Sequence, residues 1–234
     1  MSKIKLTPII CLLFYHAFLT PSLQAAELPD TASINKDIAL IQSLVESREF
    51  TAAQIKLNSV FEQSKAINYT KGEAWGKYYT GTIYFELANI DSALNLLEES
   101  VQIFQQLQDE TATTRALCQL ANFYRTMDKN DSSIMYYEKA KDFALKNLDS
   151  AGLADASYGL GIALSKKGKY SESMELYIQA LNIREELKDK QGIAAILNCI
   201  GILFWYQGDL SNALDFLQRA LPLRIETNDL QGIA

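Results

Sequence analysis

Apolar residues along most of this chain recur at helical spacing. From Asp189 they fall at Ile193, Ile196, Leu197, Ile200, Leu203 and Phe204, the one-sided i, i+3, i+4, i+7 stripe of an amphipathic helix. Gly208-Asp209 interrupts the stripe, and a second one follows through Leu214, Phe216, Leu217, Ala220 and Leu221. The same two-part pattern occupies Ala151 to Lys188 and, less regularly, Thr111 to Leu148. No β-like alternation appears after the N-terminal segment, and no proline stands between Asp30 and Leu221. The pattern predicts an all-α fold of paired helices.

The pairs repeat with a period of 40 residues. Gly81, Ala121, Gly161 and Gly201 hold one register; Ala53, Ala93, Ser133, Ser173 and Ala213 hold another; Ser100, Ala140, Ala180 and Ala220 a third. A self-similar period of this size marks a stack of structural repeats. Glycine inside a helix costs roughly 1 kcal/mol relative to alanine, so its recurrence implies close approach of a neighbouring helix, with Gly161, Ser173 and Ala180 at one such contact. Asp109, Asp149, Asp189 and Asp229 precede the first helix of successive units and read as N-caps. Thr51, Asp91, Asp131, Ser171 and Ser211 read as caps of the second helices. These marks predict nine helices with a tenth just begun, each hairpin covering the apolar face of the one before.

On these residues the chain resembles the tetratricopeptide repeat (TPR) family, whose first helix carries Leu-Gly-x-x-Tyr and whose second carries Ala-x-x-x-Phe-x-x-Ala. The matching elements are Leu160-Gly161-x-x-Leu164 with Ser173-x-x-x-Tyr177-x-x-Ala180, and Ile200-Gly201-x-x-Phe204 with Ala213-x-x-x-Leu217-x-x-Ala220. Leu120-Ala121-x-x-Tyr124 pairs with Ser133-x-x-x-Tyr137-x-x-Ala140. The resemblance implies a right-handed superhelical solenoid over residues 34–234, about five repeats followed by the start of a sixth. Two departures stand out. The period exceeds the family's 34 residues, so both helices are longer and the superhelix shallower. The early tryptophan of the first helix is replaced by Lys77, Leu117, Ser157 and Leu197. HEAT and armadillo repeats share the longer period, but the phased small residues favour the TPR reading.

The N-terminus reads differently. Lys3 and Lys5 precede an apolar run from Ile9 to Leu19, and Gln24-Ala25-Ala26 follows. That is the layout of a secretory leader over residues 1–25, with a linker over 26–33, and it predicts export to the bacterial periplasm or the extracytoplasmic face. The run is shorter than the ~20 residues of a membrane span. Cys11 follows a bulky isoleucine and lies early in the run, so it reads as one more apolar residue and not as a lipidation site. Loss of the leader removes His16, the only histidine, and with it histidine-based catalysis or metal ligation. It also removes two lysines, taking the formal charge from −6 to −8, which argues against a nucleic-acid partner. Cys118 and Cys199 lie two repeats apart, beyond disulfide reach, and read as inert thiols.

No catalytic constellation is visible, so neither an enzyme nor a cofactor site is expected. Adjacent pairs such as Glu98-Glu99 and Glu185-Glu186 point to different faces of a helix. Gly159-Leu160-Gly161 lies inside a helix pattern and is too short for a phosphate loop. By the resemblance, the first helix of each unit lines a concave groove. That implies a peptide-binding strip of Trp75, Tyr78, Phe85, Arg115, Asn122, Arg125, Asp155, Tyr158, Asn198 and Trp205, rich in the Trp, Tyr and Arg that dominate interface energetics. The alternative is that Trp75 and Trp205 fill gaps between long helices. The lysine and asparagine by which some family members clamp a chaperone's terminal carboxylate are absent. Ile38/Gln42, Tyr78/Thr82, Cys118/Asn122 and Tyr158/Ile162 stand there. The expected partner is a protein or peptide segment, and the expected role the sensory or scaffolding part of a signalling protein. A stand-alone envelope assembly factor and a carbohydrate-handling or enzyme accessory protein are the alternatives. Gln231-Gly232-Ile233-Ala234 repeats Gln191-Gly192-Ile193-Ala194, so a sixth unit is expected to begin there. By analogy a membrane helix and an output module would follow it.

Overall fold

The computed structural model describes residues 30–229 and residue 232. The apolar stripes become ten α-helices there: α1 (Thr31–Glu46), α2 (Phe50–Ala66), α3 (Thr70–Glu86), α4 (Ile90–Gln106), α5 (Glu110–Thr126), α6 (Asn130–Lys146), α7 (Ser150–Lys166), α8 (Tyr170–Glu186), α9 (Lys190–Tyr206) and α10 (Leu210–Glu226). The expected count of nine is one short. The aspartate register that marks the later first helices is missing from the front: Tyr69 stands at the α3 cap, and α1 is capped by Asp30, one position off the register. Because Asp30 accepts from the Ser33 amide, α1 starts at Thr31, three residues ahead of the expected boundary. The expected leader over residues 1–25 lies outside the described residues.

Each helix ends the same way. The residue two past its end has positive φ, from Arg48, Asn68 and Ala88 through to Gly208 and Asn228, once every 20 residues. The amide after it reaches back to a carbonyl in the last turn, as in Glu49 to Leu44 (2.8 Å) and Asn89 to Tyr84 (2.8 Å). This is the Schellman closure, which satisfies the carbonyls left open at a helix end. The connection is therefore only three residues, and its last residue is already the N-cap of the next helix. That overturns the expected caps at Thr51, Asp91, Asp131, Ser171 and Ser211. They lie inside the first turns, and the N-cap positions are Glu49, Asn89, Lys129, Lys169 and Asp209. Of these only Asp209 bonds a first-turn amide with its side chain. The aspartates Asp109, Asp149 and Asp189 do cap, accepting from Ala112, Gly152 and Gly192. Asp229 accepts from Gly232 in the same way.

Successive helices pack as antiparallel pairs, and the first helices also meet across repeats, α1 on α3, α5 on α7 and α7 on α9. The result is a right-handed solenoid with odd-numbered helices on the inside. Burial follows that layering. Nine residues of α5 and nine of α7 are buried, against four of α6 and three of α8, because an inner helix has neighbours on more sides. The small-residue registers lie where helices touch. Ser173 Oγ donates to the Gly161 carbonyl at 2.7 Å, and a Cβ on Gly161 would come within 2.6 Å of the Tyr177 ring. The larger core cluster runs from Ile34 to Leu164. A smaller one joins Tyr177, Ala180, Ile196, Ile200 and Leu203. No helix among the described residues is long and apolar enough to cross a membrane.

Candidate functional site

The inner helices α1, α3, α5 and α7 enclose a concave cavity of about 510 Å³. Residues four or seven apart on one helix share a face, which is why Tyr78 and Thr82 of α3, and Arg115 and Asn122 of α5, line it together with Tyr158 of α7. Six of the ten expected groove residues are brought together here: Tyr78, Arg115, Asn122, Arg125, Asp155 and Tyr158. Four are not. Trp75 lies behind the wall, its ring 5.2 Å from Tyr78 and 4.8 Å from Phe104, with the Arg115 guanidinium 5.5 Å above it. Phe85 stacks face to face on Phe123 at 3.8 Å and is a packing residue. Asn198 is half-buried on α9, away from this cavity. Trp205 is 58% exposed near the end of α9, tilted against Tyr206.

Polar groups inside the cavity are ordered by a small network. Tyr137 of α6 reaches through to donate to Asn122 Oδ1 at 2.6 Å, and Arg125 donates to the same oxygen at 3.2 Å. Asn122 Oδ1 is thus already engaged, and its side-chain amide group is left to donate outward. Tyr137 passes because residue 159 is glycine: a Cβ there would lie 2.1 Å from its ring. Tyr137 and Gly159 escaped the sequence reading, since Tyr137 belongs to an outer helix and its period-matched partners look like core.

The ionisable groups follow from their surroundings. Burial pushes the Tyr78 hydroxyl up, opposed by the Arg115 charge, and pushes Tyr79 and Tyr137 up to about 12. Burial also raises Tyr158. These hydroxyls keep their protons at neutral pH and serve as donors. Burial raises the Cys118 and Cys199 thiols as well; both cysteines are free. They therefore lack the lowered pKa of a reactive nucleophile. The walls raise the Asp155 carboxyl, with Arg184 and then Arg115 pulling it down; its side chain keeps 60% exposure, so the push is that of a groove wall and not of full burial. Arg184 of α8 pairs with both Asp155 and Asp189. Among the described residues, Arg115 and Arg125 form no ion pair within 4.0 Å, and Arg125 Nε is buried without a hydrogen-bond partner.

Comparison with known proteins follows this geometry. The tetratricopeptide-repeat family profile matches residues 72–146, 110–186 and 152–226, together more than half of the chain. Tetratricopeptide repeat protein 29 of Homo sapiens is 27% identical over 148 residues, covering 63% of this chain and 31% of that protein. The Macaca fascicularis protein of the same name is 25% identical over 148 residues. The chain thus spans just under a third of the length of the curated relatives it matches. Among solved structures, a Rap protein complexed with competence and sporulation factor superposes with a TM-score of 0.74 at 13% identity, covering 89% of this chain and 58% of that one. BtubC from P. vanneervenii superposes with a TM-score of 0.58 at 21% identity, covering 84% and 75%. Phased small residues, capped helical hairpins, right-handed stacking and the repeated profile matches converge: this chain belongs to the tetratricopeptide-repeat family.

Proposed function

We propose that the chain is a peptide-binding interaction module and that its ligand lies in the cavity formed by α1, α3, α5 and α7. The tetratricopeptide repeats imply protein–protein interaction as the general role. The observation that carries the finer reading is the pair Arg115 and Arg125. Two cations with no carboxylate within 4.0 Å among the described residues face one cavity beside hydroxyl donors and an outward-facing amide. Guanidinium groups pair carboxylates in a fixed two-point geometry, and side-chain amides and hydroxyls serve a peptide backbone of any sequence. Trp75 backs the wall from behind, edge-on against Tyr78.

The same reading places the module outside the bacterial cytoplasm, as a sensory or scaffolding part of a signalling protein. The leader-like order of Lys3, Lys5, the apolar run and Ala25-Ala26 supports export. The likeness in fold to a Rap protein complexed with competence and sporulation factor motivates the signalling part of the proposal.

The test uses random nonapeptides displayed on phage and selected against the full chain. Gln119 lines the cavity and is half-buried, so Gln119→Trp fills it with an indole. Selected peptides should lose about tenfold or more in affinity for this variant, with its melting temperature unchanged. Equal affinity for both proteins would move binding off the concave face.

A further inference from the structure

A second cavity lies beside the first and differs from it in chemistry. It measures about 490 Å³ and is walled by Ile162 and Lys166 of α7, Tyr170 and Tyr177 of α8, and Ile202 and Tyr206 of α9. Ile162 belongs to both cavities. The Tyr170 and Tyr206 rings stack at 6.0 Å and 11°, and Ile202 is 37% exposed. Lys166, the charged group of this wall, is held by Asp128 at 3.5 Å. What the second cavity offers a ligand is apolar surface.

The first cavity offers two guanidinium groups, Arg115 and Arg125, that no carboxylate among the described residues pairs within 4.0 Å. Of its two carboxylates, Asp155 is paired by Arg184, and Glu46 accepts from the Gln42 amide at 2.8 Å. Arg125 is the cation on the side of the shared wall. It occupies on α5 the position that Ser165, a residue of the second cavity, occupies on α7, one 40-residue period later. Its charge acts on both Tyr158 and Cys199. The Asn122 bond aims its fork.

Resting on the peptide-binding reading above, we infer that the concave face selects an acidic residue and an aliphatic residue three positions apart in an extended segment, the first on Arg125 and the second against Ile162, Ile202 and Tyr206. The spacing comes from geometry. Arg125 of α5 and Ile162 of α7 line the first cavity, and Ile162 and Ile202 of α9 line the second, so the two contacts are set one step between neighbouring inner helices apart, about 8–10 Å. Three residues of polyproline II chain span about 9 Å and return the side chain to the same face. Charge complementarity sets the acid, because a carboxylate meets a cation that has no acidic partner among the described residues. The stacked tyrosine rings and the exposed isoleucine set the aliphatic group.

The experiment is fluorescence anisotropy of the full chain with fluorescein-labelled Gly-Ser-Asp-Ser-Ser-Leu-Ser-Gly. The probe should bind. Moving its leucine nearer to or farther from the aspartate should weaken it. Replacing that aspartate by asparagine should weaken binding about tenfold or more, as for a charged hydrogen bond. The same replacement should have little effect against Arg125→Gln. Replacing the leucine by serine should cost a similar factor, and little against Ile202→Ser. Melting temperatures of both variants check that they are folded, and Arg125→Lys separates the fork from the bare charge. Absence of binding, or binding indifferent to the acid, the leucine or their spacing, overturns the inference. If the selected nonapeptides respond to Gln119→Trp yet lack this pair, the inference falls and the peptide-binding reading stands. If they ignore Gln119→Trp, both fall.

Discussion

Gly161 and Gly168 are seven residues apart and do opposite work. Gly161 stands mid-helix, where a Cβ would meet the Tyr177 ring at 2.6 Å. Gly168 sits in a turn with φ of +75°, where an added Cβ would meet no atom within 4 Å. The equivalent turn position holds Ala88 at φ 61° and Leu148 at φ 58°, so an L-residue is accommodated there at a conformational penalty of about 1 kcal/mol. Gly161→Leu should therefore destabilise by about 1–3 kcal/mol through overpacking, and Gly168→Ala by no more than about 1 kcal/mol. Chemical denaturation of the two variants measures this, and equal losses would contradict the assigned contact. Gly159 belongs with Gly161: its missing side chain lets Tyr137 reach Asn122, so a core register also shapes the binding cavity.

At the scale of the element, nine of the ten helices have the same 17-residue length, because one three-residue Schellman turn closes each of them. Propensity contributes unevenly to that uniformity. Pro222 lies inside α10, exposed on its outer side. Proline removes the bond to the carbonyl four residues earlier and crowds it, at about 3 kcal/mol in a helix interior. The helix forms regardless, because Ala213 and Ala220 are buried against the rest of the repeat, and packing outweighs propensity. Pro222→Ala should then stabilise the chain by about 1–3 kcal/mol, read as a higher denaturation midpoint. No gain would mean that the carbonyl of Gln218 is better satisfied without the bond than with it.

Across the whole molecule, stability in a solenoid is a sum of repeat and interface contributions. The interfaces here are unequal. The main core cluster extends through α7, whereas α9 belongs to the smaller one. On α10, Leu210, Leu214, Leu217, Leu221 and Ile225 are 38–65% exposed, on positions that one repeat earlier include Met174, Tyr177 and Leu181, all packed around α9 or against its core. Among the described residues this face is uncovered. Hydrogen exchange should thus be faster in α9 and α10 than in α5 to α7, since local opening is easiest where few apolar contacts resist it. Equal protection throughout would show that something covers the α10 face.

The sequence alone determined the helical class, the repeat period, the small-residue contacts and the aspartate caps of the inner helices. All of these are local or periodic, and periodicity survives translation into structure because each unit repeats one geometry. Through the family resemblance it also pointed to Tyr78, Arg115, Asn122, Arg125, Asp155 and Tyr158, since that resemblance lines the groove with the first helix of each unit. Only the tertiary structure decided which aromatics face solvent and which fill space: Phe85 meets Phe123 across a repeat boundary, and no feature within the α3 sequence announces that partner. The passage of Tyr137 past Gly159, the pairing of Asp155 by Arg184 and the wall that Ile162 shares between two cavities are likewise contacts between helices. Their residues lie 15 to 40 positions apart, where spacing along the chain places a side chain on a face but does not say what stands opposite it.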